Sequence, residues 1–192
     1  MSRTWRRTLV AALFICSATG EAAADNTRPC ERQMARAAQQ YGIPLGILYA
    51  VGLTETGRRG ALHPYALGAE GQTVFARNVD DAIASFEAMR QRGIKLIDLG
   101  CMQINHYYHG NKFDSVRAMF DPARNVDYAA RFLKELKQRE GSWTMAVARY
   151  NAGPHNQSAH KRYICHIVGH LVSSGFGAWT EKARSLCPAK TT

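Results

Sequence analysis

A single acidic residue, Glu55, ends an otherwise apolar run of the sequence at residues 50–57. Small or apolar residues at helical spacing share its face, and the other faces are apolar too, which indicates a central, buried helix. Burial and the negative end of the helix dipole both favour a protonated carboxyl near neutral pH. Such a group can serve as the general acid that cleavage of a glycosidic bond requires. The alternative is a solvent-facing glutamate paired with Arg58 or Arg59.

Two later segments carry amide and aromatic side chains. Residues 98–105 contain Met102 and Gln103, and a predicted helix ends with Tyr150 and Asn151. Amides and aromatic rings suit sugar rings and their N-acetyl groups, which need hydrogen bonds and a flat apolar face. The alternatives are structural: Met102 could fill the core, and Asn151 could be a helix-end residue.

A zinc hydrolase is the rival chemistry, because His166 and His170 lie four residues apart on a predicted helix. Zinc peptidases place a Glu directly after their first His, and Ile167 stands there instead. We therefore predict neither a metal site nor a cofactor.

Periodicity and capping residues predict the elements that must position these side chains. One hairpin is predicted at residues 65–76, with Glu70 and Gly71 in its turn. The remaining elements are helices: residues 30–41; Pro44 to about residue 56; a helix capped by Asn78 and stopped by Gly93; a helix from Pro122, capped by Asp121 and stopped by Gly141; a short helix capped by Ser142; and a last helix through Tyr163, Ile164, Ile167 and Leu171. The sequence predicts one mainly α domain with a small β-hairpin.

The N-terminus has the pattern of a secretory signal peptide. Three arginines precede an apolar stretch, and three alanines then offer a small-residue cleavage site, so we assign the signal to residues 1–24 and the domain to residues 25–192. The apolar stretch is too short to span a bilayer. Cys16 suggests a lipoprotein, but the bulky Ile15 before it disfavours lipid modification.

The chain is strongly basic, with a formal net charge of +10. The predicted signal carries three arginines and one glutamate, so its removal takes away +2 and leaves +8. Such a charge suits a polyanionic partner, namely nucleic acid, acidic lipid or a cell-wall polymer, although it could also serve solubility alone. Because export is predicted, nucleic acid is not expected as the partner.

Four cysteines remain after the predicted signal: Cys30, Cys101, Cys165 and Cys187. An even number in an oxidising compartment predicts two disulfides, and the sequence leaves all three connectivities open. Zinc knuckles need closely paired cysteines, which this spacing lacks, so a zinc site is disfavoured.

Three ordered motifs resemble those of the soluble lytic transglycosylase family. The family's Glu-Ser at the end of a buried helix reads Glu55-Thr56 here. Its Gly-Leu-Met-Gln is matched at residues 100–103, with Cys101 in place of Leu. Its Ala-Tyr-Asn-Ala-Gly is matched at residues 149–153, with Arg149 in place of the first Ala.

The resemblance extends over roughly residues 30–172. Residues 63–76 are similar to the Asn-Pro-Trp-Ala-Leu hairpin of members that accompany type IV secretion and conjugation systems, and residues 120–143 resemble the next helix of those members. The resemblance implies a goose-type lysozyme-like α+β fold, a periplasmic monomer and peptidoglycan glycan strands as the partner. Components of a secretion or conjugation machine are further implied partners.

The resemblance also implies roles for individual residues. Glu55 would be the sole catalytic acid/base. Gln103, Tyr150 and Asn151 would hold the N-acetylmuramic acid and the catalytic carboxyl. The substrate-binding set is completed by Met102, which would line the cleft, and Thr56, which would support it from behind.

The implied reaction forms 1,6-anhydro-N-acetylmuramic acid ends, with the substrate's N-acetyl group stabilising the cation. One alternative is a hydrolytic muramidase that uses Asp98 as nucleophile, although Asp98 is expected instead to accept backbone hydrogen bonds at the start of its turn. Another is a non-catalytic wall-binding scaffold of the same fold. Because two of the motif regions would meet at the cleft, we expect Cys101 to pair with Cys165, which leaves Cys30 for Cys187.

Overall fold

The structure is a computed structural model that describes residues 28–58, 60–152 and 156–188. The predicted signal peptide lies outside these residues. The elements, in chain order, are α1 (Pro29–Tyr41), α2 (Leu45–Thr56), β1 (Ala66–Ala69), β2 (Gln72–Phe75), α3 (Val79–Gln91), β3 (Asp98–Leu99), β4 (Ile104–Asn105), α4 (His106–His109), a 3₁₀ turn (Gly110–Lys112), α5 (Val116–Phe120), α6 (Pro122–Glu140), α7 (Trp143–Asn151), α8 (Gln157–Ser173) and α9 (Glu181–Leu186). The predicted mainly helical fold with a small β-hairpin is confirmed, with the hairpin forming part of a small antiparallel sheet, and it is consistent with a lysozyme-like α+β fold.

Side-chain caps begin the helices where the sequence predicts them. The side chains of Asn78, Asp121 and Ser142 accept hydrogen bonds from backbone N–H groups in the first turns of α3, α6 and α7. The predicted start of α2 differs by one residue. Pro44 has an extended ψ of 122° and caps the helix, which begins at Leu45.

Helix α2 is the centre of the domain. It packs between α1 and α8, and Leu48 and Val51 on it are fully buried. Gly52 allows the close approach of α1, because a Cβ there would lie 2.5 Å from Met34 Cε. Helix α6 packs against α1 and α7, and α8 covers α2 and α7. None of the helices in the described ranges is long and apolar enough to cross a membrane.

The sheet has the strand order β2-β1-β3-β4, with all neighbours antiparallel. Glu70 and Gly71 both have positive φ, 51° and 76°, as a two-residue hairpin turn requires, so the predicted turn is confirmed. Strands β3 and β4, the short helices α4 and α5, and α9 were not predicted. They are too short for a hydrophobic period to identify.

Two disulfides are present in the described part of the chain, but the predicted pairing is wrong. Cys30 pairs with Cys101, and Cys165 pairs with Cys187. Cys30 lies on the buried face of α1, where it meets the turn between β3 and β4, with the two Cα atoms 5.7 Å apart. Cys165 on α8 instead meets the end of α9, with a Cα separation of 5.5 Å.

Candidate functional site

Glu55 lies in the last turn of α2 and faces a cavity. The hydroxyl of Tyr163, on α8, donates a hydrogen bond of 2.6 Å to Glu55 Oε1. Burial raises the pKa of Glu55 to about 7, against the lowering effect of the Tyr163 hydrogen bond, and the negative charge of Asp98 adds to the increase. The carboxyl is therefore substantially protonated at neutral pH.

The alternative in which Glu55 pairs with an arginine is not supported for Arg58. The Arg58 guanidinium instead lies over the Phe75 ring, 5.2 Å from its centroid. Arg59 lies outside the described residues.

The cavity in front of Glu55 has a volume of about 340 Å³. Its wall combines carboxylates, amides, aromatic rings and one guanidinium, contributed by Glu55, Asp98, Gln103, Ile104, Asn105, Tyr108, His109, Phe132, Arg149, Tyr150, Asn151 and Ala152. Four predicted site residues, Glu55, Gln103, Tyr150 and Asn151, thus line one cavity.

Gln103 is held in a fixed orientation between the strands. Its Nε2 donates to the carbonyl oxygens of Ala66 and Gly100, at 3.1 and 3.0 Å, and its backbone has a positive φ of 46°. Its amide lies over Gly68, where a Cβ would be 2.5 Å from Oε1. Since both amide hydrogens are used internally, Oε1 is the polar atom left to accept a hydrogen bond.

Met102 and Thr56 do not line the cavity. The Met102 side chain is fully buried, so the expectation that it lines the cleft is wrong. Its carbonyl oxygen accepts a 2.8 Å hydrogen bond from the Tyr150 hydroxyl, which fixes Tyr150 against the turn. Thr56 is also buried, and its hydroxyl lies 3.2 Å from the Cys101 carbonyl oxygen, so it joins the end of α2 to the same turn.

Two polar residues that hold the site were not predicted from the sequence. The sequence predicts only that Tyr163 lies on the last helix, but its buried hydroxyl needs a hydrogen-bond partner and finds Glu55. Asn125, fully buried on α6, accepts from Met102 N at 2.9 Å and donates to the Leu99 carbonyl at 2.9 Å. Asn125 lies four residues before the apolar Ala129 and therefore shares its face of α6. A polar amide on an apolar helix face was the sequence signal for a buried hydrogen-bonding role.

Asp98 lines the cavity but differs from its expected role in the turn. Its Oδ1 accepts a 2.8 Å hydrogen bond from the side chain of Asn105, its cross-strand partner, rather than from the backbone. Burial raises the pKa of Asp98, and the Asn105 hydrogen bond lowers it. The second carboxylate of the cavity is therefore tied to the sheet.

Aromatic rings extend the cavity wall toward the surface. The Tyr150 and Phe132 ring centroids are 5.7 Å apart, and Phe132 lies 5.2 Å from His109. Tyr107 and Tyr108 follow on α4, with 59% and 64% of their surface exposed. The flat faces of such rings can pack against sugar rings.

The two histidines of the rival zinc interpretation lie on α8. His170 lines a second cavity, with Tyr49 and Leu53, whose wall does not include Glu55. Across the described ranges, no group of three His, Cys, Asp or Glu residues could hold a metal ion.

One comparison with known proteins gave a match. The family model described as "Transglycosylase SLT domain" matches residues 32–164, more than half of the chain. Neither the curated proteins nor the solved structures gave a match. The matched range contains every residue of the cavity wall, including Glu55, and Tyr163 that binds it. The chain therefore belongs to the transglycosylase SLT domain family, whose members are lytic transglycosylases that act on peptidoglycan.

Proposed function

We propose that this chain cleaves the bond between N-acetylmuramic acid and N-acetylglucosamine and forms 1,6-anhydro-N-acetylmuramic acid ends, with Glu55 as its single acid and base. The observation that carries the proposal is the buried Glu55 carboxyl, whose pKa is raised to about 7 at the wall of a cavity rich in amides and rings. A carboxylic acid that keeps its proton at neutral pH is suited to protonate a leaving oxygen.

In the first step, Glu55 donates its proton to the glycosidic oxygen. Tyr163 binds Oε1, which leaves Oε2 to reach the substrate. The bond between C1 of the muramic acid and this oxygen breaks, and the leaving sugar departs as an alcohol. The substrate's own N-acetyl oxygen stabilises the positive charge that develops at C1.

In the second step, the Glu55 carboxylate accepts the proton of the muramic acid 6-hydroxyl, and the oxygen of this hydroxyl attacks C1. The 1,6-anhydro ring closes, Glu55 is protonated again, and no water is consumed. The Tyr163 hydrogen bond stabilises the carboxylate between the two steps, because a hydrogen bond to the charged form favours that form.

The amides and rings would position the sugar for both steps. Gln103 Oε1 and the Asn151 side chain would bind the N-acetyl group, and Tyr150 would offer its ring; all three residues line the cavity. Thr56 and Met102 act through the turn they hold, without touching the substrate. These roles are part of the proposal.

A retaining muramidase is the second candidate, because Asp98 lines the same cavity as Glu55. Such an enzyme needs a second carboxylate roughly 5 Å from the acid as nucleophile. The Asn105 hydrogen bond occupies Asp98 Oδ1, and burial of Asp98 disfavours its charged form, so its nucleophilicity is reduced.

Digestion of cell walls in gels distinguishes the proposed activity from a metal hydrolase and from a non-catalytic wall-binding scaffold. We expect the parent to clear wall-containing gels equally well with and without a chelator, and Glu55→Gln to leave no clearing. Clearing that is lost with the chelator would indicate a metal hydrolase. Absence of clearing by the folded parent would indicate a wall-binding scaffold.

Tyr163→Phe is expected to move the pH profile upward. Activity needs protonated Glu55, so it should fall as the pH rises past about 7. The Tyr163 hydrogen bond lowers the Glu55 pKa, so its removal should shift this fall to higher pH while reducing the maximum rate. Tyr150→Phe is the matched control, because its hydroxyl binds the Met102 carbonyl, and it should leave the position of the fall unchanged. Equal shifts in both variants would contradict this role of Tyr163.

The proposed cellular role is local opening of the wall for a secretion or conjugation apparatus, after export to the periplasm by residues 1–24. Its support is the resemblance of residues 63–76 and 120–143 to members that accompany such systems. Deletion of the gene should reduce secretion or conjugative transfer, and the parent but not Glu55→Gln should restore it. Unchanged secretion and transfer in the deletion strain would refute this role.

A further inference from the structure

Arg149 brings a positive charge to the cavity wall, one residue before Tyr150 on α7. Its side chain is only 19% exposed. Its Nε lies 3.4 Å from Oε2 of Glu140, the last residue of α6. The family motif Ala-Tyr-Asn-Ala-Gly has alanine at this position, so the motif does not account for the guanidinium of Arg149.

The charge of Arg149 is not fully balanced by Glu140. Arg139 also binds that carboxylate, with its Nε 3.1 Å from Glu140 Oε1. The pKa of Glu140 is lowered, chiefly by the hydrogen bond from Arg139, so the carboxylate stays ionised. Arg149, the member of this cluster that lines the cavity, therefore shares its one carboxylate partner with a second guanidinium.

The guanidinium also has hydrogen bonds left to make. Nε of Arg149 faces Glu140, but its Nη1 is buried and lacks a hydrogen-bond acceptor within the part of the chain that the structure describes. Buried donors without acceptors are costly and rare in native proteins. The charge is not used on the catalytic carboxyl either, since Glu55 takes its hydrogen bond from Tyr163.

We propose that Arg149 binds a carboxylate of the muramyl unit and so makes the enzyme prefer glycan strands with free carboxylates. The proposal rests on the proposed function, because it places the substrate in this cavity. A carboxylate supplies the paired acceptors that a guanidinium fork binds best. In peptidoglycan it can come from two sources: the lactyl group of a peptide-free muramic acid, or the peptide stem of an intact one.

The test compares binding of three wall preparations to Glu55→Gln protein, which avoids any need for turnover. The preparations are intact sacculi, sacculi stripped of peptides by an amidase, and intact sacculi whose carboxylates are blocked as methylamides. Adding Arg149→Ala should weaken binding to a carboxylate-bearing preparation roughly tenfold, because one charge-assisted hydrogen bond is lost. Binding to blocked sacculi should be unchanged. Arg149→Lys should retain part of the binding.

The preparation affected identifies the source of the carboxylate. A loss with stripped sacculi assigns the lactyl group, and a loss with intact sacculi alone assigns the peptide stem. Equal losses on blocked and unblocked walls, or no loss, would overturn the proposal. Should Arg149→Ala fail to fold, Arg149→Gln replaces it in the same comparison, because it removes the charge and keeps a polar side chain.

Glu140→Gln is the matched control for a purely structural ion pair. It removes the partner charge but keeps Arg149, so it should lower stability without losing the preference for carboxylates. Loss of that preference in folded Glu140→Gln would contradict the proposal. Failure of the parent to cleave walls would refute the proposed function separately, since these measurements record binding alone.

Discussion

Glu55→Gln is expected to reduce the rate of wall cleavage by roughly a thousandfold, within the range that general acid–base catalysis contributes. The amide keeps the shape of the side chain and can still accept the Tyr163 hydrogen bond, but it has no acidic proton to give. Initial rates of release of soluble fragments from purified sacculi measure the effect. A Gln variant with more than a tenth of the parent rate would exclude Glu55 as the acid.

The stability of Glu55→Gln separates this effect from misfolding. The pKa of Glu55 is raised from 4.5 to about 7, so the folded state holds a proton that the unfolded state releases between these values, and folding loses stability as the pH rises through this window. The neutral amide escapes that loss. We therefore compare the free energy of unfolding of Glu55→Gln with that of the parent at each pH. The difference, in favour of Glu55→Gln, should be larger at pH 8 than at pH 4 by up to about 3 kcal/mol. No pH-dependent difference would show that the carboxyl is not buried in this way.

Removal of the disulfide between Cys30 and Cys101 should have the largest effect on stability. It links residues separated by 71 positions, and closing a loop of this length stabilises a protein by about 4 kcal/mol in the chain-entropy model. Cys101 also directly precedes Met102 and Gln103, so the bond holds the turn that carries the site. Chemical denaturation of the double alanine variant should show this loss, together with reduced activity.

The second disulfide is the matched control. Cys165 and Cys187 are separated by only 22 positions, and replacing both with alanine should cost about 3 kcal/mol. This bond ties α9 to α8 and carries no cavity residue, so the folded variant should keep its activity. Equal activity in both double variants would show that the first disulfide does not position the turn.

Local signals were sufficient to predict most of the helices and the catalytic candidate. Capping residues such as Asp121 and Ser142 act within their own first turns, so sequence alone locates them. The apolar surroundings of Glu55 could likewise be predicted from the spacing of apolar residues on a single helix. The two-residue turn at Glu70 and Gly71 is equally local.

Contacts between distant segments could not be predicted in the same way. The bond from Tyr163 to Glu55 spans 108 positions, and the one from Tyr150 to Met102 spans 48. The prediction of the disulfide pairing was wrong for the same reason, because it assumed that cysteines near the motif residues must lie close together. The structure shows instead that Cys101 points away from the cavity to α1.

The product of digestion in ¹⁸O-labelled water tests most directly the claim that one protonated carboxyl cleaves the glycan without consuming water. Purified sacculi are digested to completion, and the soluble muropeptides are weighed by mass spectrometry. The proposed mechanism predicts 1,6-anhydro-N-acetylmuramic acid ends, each lighter by one water than a reducing end and free of ¹⁸O. Predominantly reducing ends labelled with ¹⁸O would contradict it and would make Asp98 the candidate nucleophile of a muramidase.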